Sequence, residues 1–118
     1  MRIGALAHRS GVSERLLRYY EQQGLLAPSR SGNGYREYTE DDLATVARIR
    51  ALLASGLSTT LIAKALPCLA GTPDRLAPTC PVLVADLRAE RARLDTQMAA
   101  LATSATLLDE VLSREVGP

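Results

Sequence analysis

Arg15, Arg18, Tyr19 and Gln22 are the side chains whose types and spacing most directly suggest chemistry. A guanidinium group offers a planar fork of N–H donors that matches a phosphate or the edge of a guanine. When residues 14–23 are wound as an α-helix with Leu17 facing a core, about 100° per residue brings Tyr20 within about 60° of Leu17 and puts these four on the opposite side. Arg15 and Arg18 are then candidates for guanine O6 and N7, worth about 1–3 kcal/mol of discrimination each if bidentate. The same face reads equally as a solvated helix side with a Glu14–Arg18 pair at i,i+4. A second candidate is the cysteine pair Cys68 and Cys80. Cys80 stands before Pro81, beside a predicted helix N-terminus, where the helix dipole favours a thiolate. The pair therefore reads as a thiol or redox sensor, a soft-metal ligand pair, or an incidental structural pair. In a reducing compartment, two free thiols are expected rather than a bridge. Zinc would want four ligands, and the sole histidine, His8, is expected to be exposed, so no metal site is assigned.

The surrounding composition restricts the function classes. Residues 1–38 hold Arg2, Arg9, Arg15, Arg18, Arg30 and Arg36 against Glu14, Glu21 and Glu37, while the whole chain has a net charge of only +1. A basic front half is compatible with phosphate binding, although such an excess is also common on inert surfaces. Lys64 is the one lysine among fourteen basic residues, a bias that a GC-rich genome also produces. The aromatic residues are Tyr19, Tyr20, Tyr35 and Tyr38, all within one stretch of the chain. A tyrosine has a flat apolar body and a polar tip, which suits either a nucleic-acid surface or a small core. Apolar residues make up 47% of the chain, enough for a real core, which argues against wholesale disorder. No apolar run approaches the roughly 20 residues of a membrane span. Met1-Arg2-Ile3-Gly4 opens no secretory signal, so a cytoplasmic location is expected.

Short helices must position these residues. Residues 5–9 read as a first helix, with Gly4 as its N-cap and a break at Ser10-Gly11. Ser13 caps residues 14–23, Val12 and Leu17 stand at the spacing of a hydrophobic staple, and Gly24 ends the helix. Two short helices joined by a glycine turn match a helix-turn-helix. Residues 28–38 read as a hairpin wing turned at Asn33-Gly34, where both residues tolerate positive φ. The wing adds Arg30, Tyr35, Arg36 and Tyr38; Arg36 and a tyrosine hydroxyl suit phosphates. Thr39, with Asp42 three residues on, caps a third helix bearing the apolar stripe Leu43, Val46, Ile49 and Leu52. Gly56 stops it. Ser58 caps a fourth helix, which Pro67 closes. Residues 67–80 read as a linker.

Pro81 then opens a long helix at the favoured first position. It runs to about residue 112, roughly 48 Å at 1.5 Å per residue. Leu87, Leu94, Leu101 and Leu108 recur every seven residues, with Val84, Arg91, Met98, Ala105 and Leu112 interleaved. Alternating steps of three and four are the seam of a coiled coil. The head is too small to cover that seam, so it is expected to pair with a second copy; folding back onto its own head is the alternative.

Ile3-Gly4-x-Leu6-Ala7, Gly11-Val12-Ser13, Leu17-Arg18-Tyr19-Tyr20-Glu21, Gly24-Leu25-Leu26 and Gly34-Tyr35-Arg36-x-Tyr38 resemble, in order and spacing, the N-terminal signature of MerR-type (mercury-regulator) transcription regulators. The resemblance implies a mainly α fold with a small β wing. Residues 1–66 would be a winged helix-turn-helix head, 67–80 a linker, and 81–115 a dimerisation helix forming an antiparallel coiled coil. It implies that the second helix enters the major groove with Arg15 and Arg18 near bases. Ser13, Tyr19 or Tyr20, Arg36 and Tyr38 would contact the backbone. A homodimer would bind a pseudo-palindromic promoter and bend and untwist an overlong spacer, realigning it for RNA polymerase. In the family's metal sensors a cysteine at the start of the dimerisation helix resembles Cys80 in position. Two further cysteines of those sensors, after that helix, have no counterpart in residues 113–118, so the usual metal site is incomplete here.

Two other readings use the same features. One is an architectural or recombination-directionality protein with no effector; the other is an adaptor whose functional surface is the coiled coil. No nucleophile–base pair, phosphate-cradling loop or paired-carboxylate site points to an enzyme.

Overall fold

The computed structural model describes residues 1–30 and 32–117; Ser31, Pro118 and the side chain of Arg30 lie outside the described residues. The element order is α1 (Ile3–Ser10), α2 (Glu14–Gln22), β1 (Ser29–Arg30), β2 (Arg36–Glu37), α3 (Glu40–Ala54), α4 (Thr59–Ala65), β3 (Leu69–Ala70), β4 (Ala77–Pro78) and α5 (Pro81–Leu112), with a 3-10 turn over Leu66–Cys68. The fold is thus mainly helical with small antiparallel hairpins. Among the described residues no helix is long and apolar enough to cross a membrane.

Gly11 supplies the left-handed conformation between α1 and α2, with φ +74, and its N–H closes α1 on the Ala7 carbonyl at 3.0 Å. The Ser13 hydroxyl accepts from the Leu16 N–H at 3.1 Å and so satisfies one orphan donor of α2. Val12 and Leu17, on either side of that cap, are both buried. α1 is longer than the sequence predicts and takes Gly4 into the helix, with Arg2 as its extended N-cap residue. The reason is tertiary. The Met1 main chain pairs with Tyr38 in both directions, at 2.6 and 2.7 Å, so the chain enters α1 from beside the wing.

In the wing, Ser29 faces Glu37 and Arg30 faces Arg36. Gly34 has φ +84, whereas Asn33 does not adopt positive φ. Of the turn dipeptide Asn33-Gly34, only the glycine thus uses the left-handed region. Beyond it, Thr39 and Asp42 form a reciprocal capping box: Thr39 N–H donates to Asp42 Oδ2 at 2.8 Å, and Asp42 N–H to Thr39 Oγ1 at 3.2 Å. α3 buries Val46 and Ile49, with Leu43 and Leu52 half-buried beside them. Arg9 grips Glu40 through both guanidinium Nη atoms, and Arg50 donates to the Ser10 carbonyl at 3.2 Å, so the C-terminal end of α1 is held to α3 at two points. The core joins Leu6, Val12, Leu17, Tyr20, Leu25, Leu26, Tyr38, Val46, Ile49 and Ile62.

The expected linker is instead a structured hairpin. Leu69 pairs with Pro78 and Ala70 with Ala77. Gly71 has φ +93, and a Cβ there would lie 2.2 Å from the Arg75 carbonyl oxygen, so only glycine fits this turn. The Gly71 carbonyl accepts from Arg48 Nε at 2.9 Å, which ties the hairpin to α3. Thr79 N–H donates to the Cys68 carbonyl at 2.7 Å. This closure brings the Cys68 and Cys80 Cα atoms to 5.4 Å, and their sulfurs are joined in a disulfide. The expectation of two free thiols rested on compartment chemistry; local pairing brings the two cysteines within bonding reach instead.

The first compact unit runs from Met1 to Leu83, and the buried Leu83 is its contribution from α5. The second unit begins at Val84. Within it Met98, Leu101, Leu108 and Leu112 are exposed, as are Leu107 and Val111, while Leu87 and Leu94 are partly covered. Arg91, the polar interruption of the leucine seam, donates to Asp95 at 3.1 Å one turn on.

Because Leu17 is fully buried in the core that orients α2, Leu17→Ala is expected to cost about 2–5 kcal/mol. The check is the urea midpoint of the variant at unchanged m-value.

Candidate nucleic-acid interface

α2 is a two-sided helix. Leu17 and Tyr20 face inward, and Arg15, Arg18, Tyr19 and Gln22 are exposed. This division follows from the 3.6-residue period alone. Arg18 lies 3.7 Å from Glu14, one turn earlier, and both side chains are about half exposed. An exposed pair at that distance is weak, typically about 0.3–0.5 kcal/mol on a helix, and gives way readily to a stronger anion.

A nearly buried carboxylate joins α2 to the wing. The Glu21 side chain is 11% exposed, and its Oε2 lies 3.1 Å from Arg36 Nε. Its Oε1 accepts the Tyr38 hydroxyl proton. One acidic group thus fixes two side chains of the wing against the helix. Beside them is a groove of about 530 Å³ whose lining includes Arg18, Glu21, Gln22, Leu26, Pro28 and Arg36. Arg18 and Arg36 also line a smaller cleft of about 230 Å³ with Arg2, Ile3 and Tyr35.

The structure separates the four tyrosines. Tyr19 and Tyr35 are exposed, at 43% and 56%. Tyr20 and Tyr38 are each only 2% exposed and belong to the core. Tyr20 and Tyr38, both expected at the DNA backbone, thus lie in the core of the head rather than on its surface. Tyr20 is one residue from Tyr19 but on the Leu17 side of the helix, and the Tyr38 hydroxyl is already engaged by Glu21. Ser13, expected at the backbone, uses its hydroxyl as the α2 cap and remains exposed. Arg30 lies in β1, its side chain outside the described residues. His8 is exposed on α1.

Two residues gain positions that spacing did not announce. Glu21 counted only as a negative charge and a motif letter, and its signal is a carboxylate following a core tyrosine in a helix that packs on an Arg-x-Tyr strand. Arg2 counted only toward the basic excess, and nothing local in the sequence places it beside residue 35.

Burial, reinforced by the hydrogen bond to Glu21, pushes the Tyr38 hydroxyl well above its ordinary pKa of 10.0. Burial also raises Tyr20. In the unfolded chain both titrate at the ordinary value. Their stabilising contribution is thus fully present below pH 10 and is lost as the pH rises beyond it. Thermal melts between pH 8 and 11.5 are expected to fall on the alkaline side, and Tyr38→Phe is expected to make that fall shallower. An equally steep fall in the variant would contradict this assignment.

Residues 1–68 match the family described as MerR HTH family regulatory protein. The chain is 45% identical over 67 residues to the HTH-type transcriptional regulator PA4778 of Pseudomonas aeruginosa, covering 56% of this chain and 51% of that protein. It is 40% identical over 67 residues to the HTH-type transcriptional regulator HmrR of Sinorhizobium medicae, covering 56% and 46%. The chain therefore spans about half the length of these relatives. The crystal structure of the transcription regulator PbrR691 from Ralstonia metallidurans CH34, in complex with lead(II), superposes with a TM-score of 0.71 at 32% identity, over 100% of this chain and 90% of that one. HiNmlR, a MerR family regulator lacking the sensor domain and bound to promoter DNA, shares the fold with a TM-score of 0.59 at 24% identity, over 95% and 86%.

Proposed function

Since this chain belongs to the MerR family of HTH regulatory proteins, we propose that it is a sequence-specific DNA-binding transcription regulator that works as a homodimer on promoter DNA. The observation that carries this reading is the exposed face of α2, which displays Arg15, Arg18, Tyr19 and Gln22 and from which Arg18 and Gln22 line a groove shared with the wing residue Arg36. The N-terminal part of a second helix is the element that such heads direct at base edges in the major groove. Arg15 and Arg18 read bases in this scheme, and Arg36 and Tyr35 meet phosphates, which set register without reading sequence.

Dimerisation is supported by the seam of α5. Met98, Leu101, Leu108 and Leu112 stand 60–69% exposed along one heptad pattern, and leaving them in water forfeits about 25 cal/mol per Å² of apolar surface. A second copy offering the same seam buries it. The dimer would hold two α2 helices on the half-sites of a pseudo-palindrome and distort the spacer between them for RNA polymerase. A moderate smooth bend costs about 1–6 kcal/mol, so an effector would act by binding one dimer state better than the other. The role is regulatory rather than enzymatic, and cytoplasmic. For Cys68 and Cys80 we infer thiol–disulfide chemistry in preference to metal binding, because each sulfur already has the other as its partner. The lead(II) in PbrR691 is a property of that protein.

On a duplex from the region upstream of its own coding sequence, Arg18→Ala is expected to weaken specific binding by about 5- to 150-fold, the equivalent of 1–3 kcal/mol. Measured by gel shift, unchanged affinity removes Arg18 from the reading face. Running the wild type in reduced and oxidised forms tests the cysteines in the same assay, and identical binding in both ends the thiol reading. For the coil, wild-type protein is expected to sediment as a dimer at micromolar concentration and a Leu101→Asp/Leu108→Asp variant as a monomer. A monomeric wild type removes the dimer.

A further inference from the structure

The fold delivers Arg2 to the smaller cleft, which shares Arg18 and Arg36 with the α2 groove. The reciprocal main-chain bonds between Met1 and Tyr38 lay the entering chain beside β2. Arg2 follows in extended conformation, just before α1. Its guanidinium carbon lies 4.0 Å from the centroid of the Tyr35 ring, a cation–π contact. Its Nε lies 3.6 Å from Glu37 Oε1, and the side chain is 53% exposed. Stacking uses the face of a guanidinium and leaves its N–H edge available.

Three arginines from three segments thus line one cleft: Arg2 before α1, Arg18 on α2 and Arg36 on β2, with Ile3 and Tyr35 completing the lining. No carboxylate lines this cleft. Each arginine does have an acidic neighbour outside the lining. Arg36 is held firmly by Glu21 at 3.1 Å, whereas Arg2 and Arg18 reach the half-buried Glu37 and the exposed Glu14 only at 3.6 and 3.7 Å. Three guanidinium groups on the lining, with their acidic neighbours outside it, make the cleft itself locally positive, which suits an anion. Arg18 also lines the larger groove with Gln22, so a duplex edge engaged by Arg18 continues across this cleft.

We propose that Arg2 and Arg36 hold one backbone phosphodiester of duplex DNA, with Tyr35 keeping Arg2 in place and Arg18, on the side of the cleft shared with the larger groove, left to the bases. The proposal rests on the DNA-binding reading and adds to it a contact made by the segment that precedes the first helix. The contact contributes affinity and register, not base discrimination. Tyr35 is a positioning residue: its ring orders Arg2, and its loss leaves the charge in place.

The test is fluorescence anisotropy of the full chain on two duplexes, one from its own upstream region and one scrambled, titrated between 50 and 200 mM salt. Arg2→Ala is expected to weaken both complexes by the same factor at 50 mM salt. It is also expected to make the slope of log K against log salt shallower by about 0.9, the signature of one lost phosphate contact. Arg2→Lys keeps the charge without the stacking plane, so it should keep the slope and lose affinity; Tyr35→Leu should behave likewise. These two variants also carry the test if Arg2→Ala melts early, since full wild-type affinity in both would overturn the cradle. A wild-type slope in a folded Arg2→Ala protein overturns it too. An effect confined to the upstream duplex overturns it as well, because that would make Arg2 a base reader. Inorganic phosphate at 10 mM and constant ionic strength that binds at Arg2 without displacing the duplex would assign the cleft to a free anion and overturn the cradle. Wild-type protein that ignores both duplexes overturns the DNA-binding reading and the cradle together, whereas a failure of Arg2 alone leaves Arg18→Ala to report on that reading.

Discussion

The Glu21 carboxylate is the constraint on which the candidate interface depends. It sits almost out of water at the junction of α2 and the wing, takes the Tyr38 hydroxyl on one oxygen and faces Arg36 with the other. A carboxylate removed from solvent needs such partners, because an unpaired buried charge costs several kcal/mol. The three groups therefore stand or fall together, and the position of the wing follows. A two-stranded hairpin of two residues per strand is marginal by itself, and this anchor adds to the Met1–Tyr38 main-chain bonds that also hold it. With it, Arg36 is kept beside Arg18, and the Tyr38 ring is drawn into the core, where its main chain receives Met1 and guides residue 2 to the Tyr35 ring.

The electrostatics of the face are graded by this arrangement. Arg36 is engaged by a buried acid and acts as a fixed post. Arg2 and Arg18 face their acids at longer distances and are readier to exchange partners. Arg9, by contrast, is committed to Glu40 through two nitrogens and serves the scaffold. The chain thus divides its arginines between structure and surface, which the modest net charge of +1 conceals. The helix that displays Arg15 and Arg18 is rigid for ordinary reasons: a serine cap at its start, a glycine on either side, and two buried residues one turn apart on its inner face.

At the other end of the head the same economy holds. A hairpin closed by a disulfide and tied to α3 through Arg48 fills the stretch between α4 and α5. A span rich in glycine and proline resembles a flexible linker in composition. Here those residues instead serve a turn that only glycine fits at residue 71 and a strand end at Pro78, where no N–H is required. Expectation and structure part for a physical reason: composition reports conformational freedom, and pairing between residues 69–70 and 77–78 removes it.

What the linear sequence determined is what obeys local rules. The caps at Ser13, Thr39 and Ser58, the start of α5 at Pro81 and its end at Leu112, and the inward and outward sides of α2 all follow from backbone donors seeking acceptors and from a period of 3.6 residues. Motif resemblance supplied the family. Tertiary structure alone decided the rest: that Tyr38 is core while Tyr35 is surface, that Glu21 joins helix to wing, that Arg2 reaches the interface, and that Cys68 and Cys80 meet. Each of these joins residues that no helical or strand period brings together. Their distance is set by how the elements pack, and that packing is a balance of burial, charge and hydrogen bonding over the whole head.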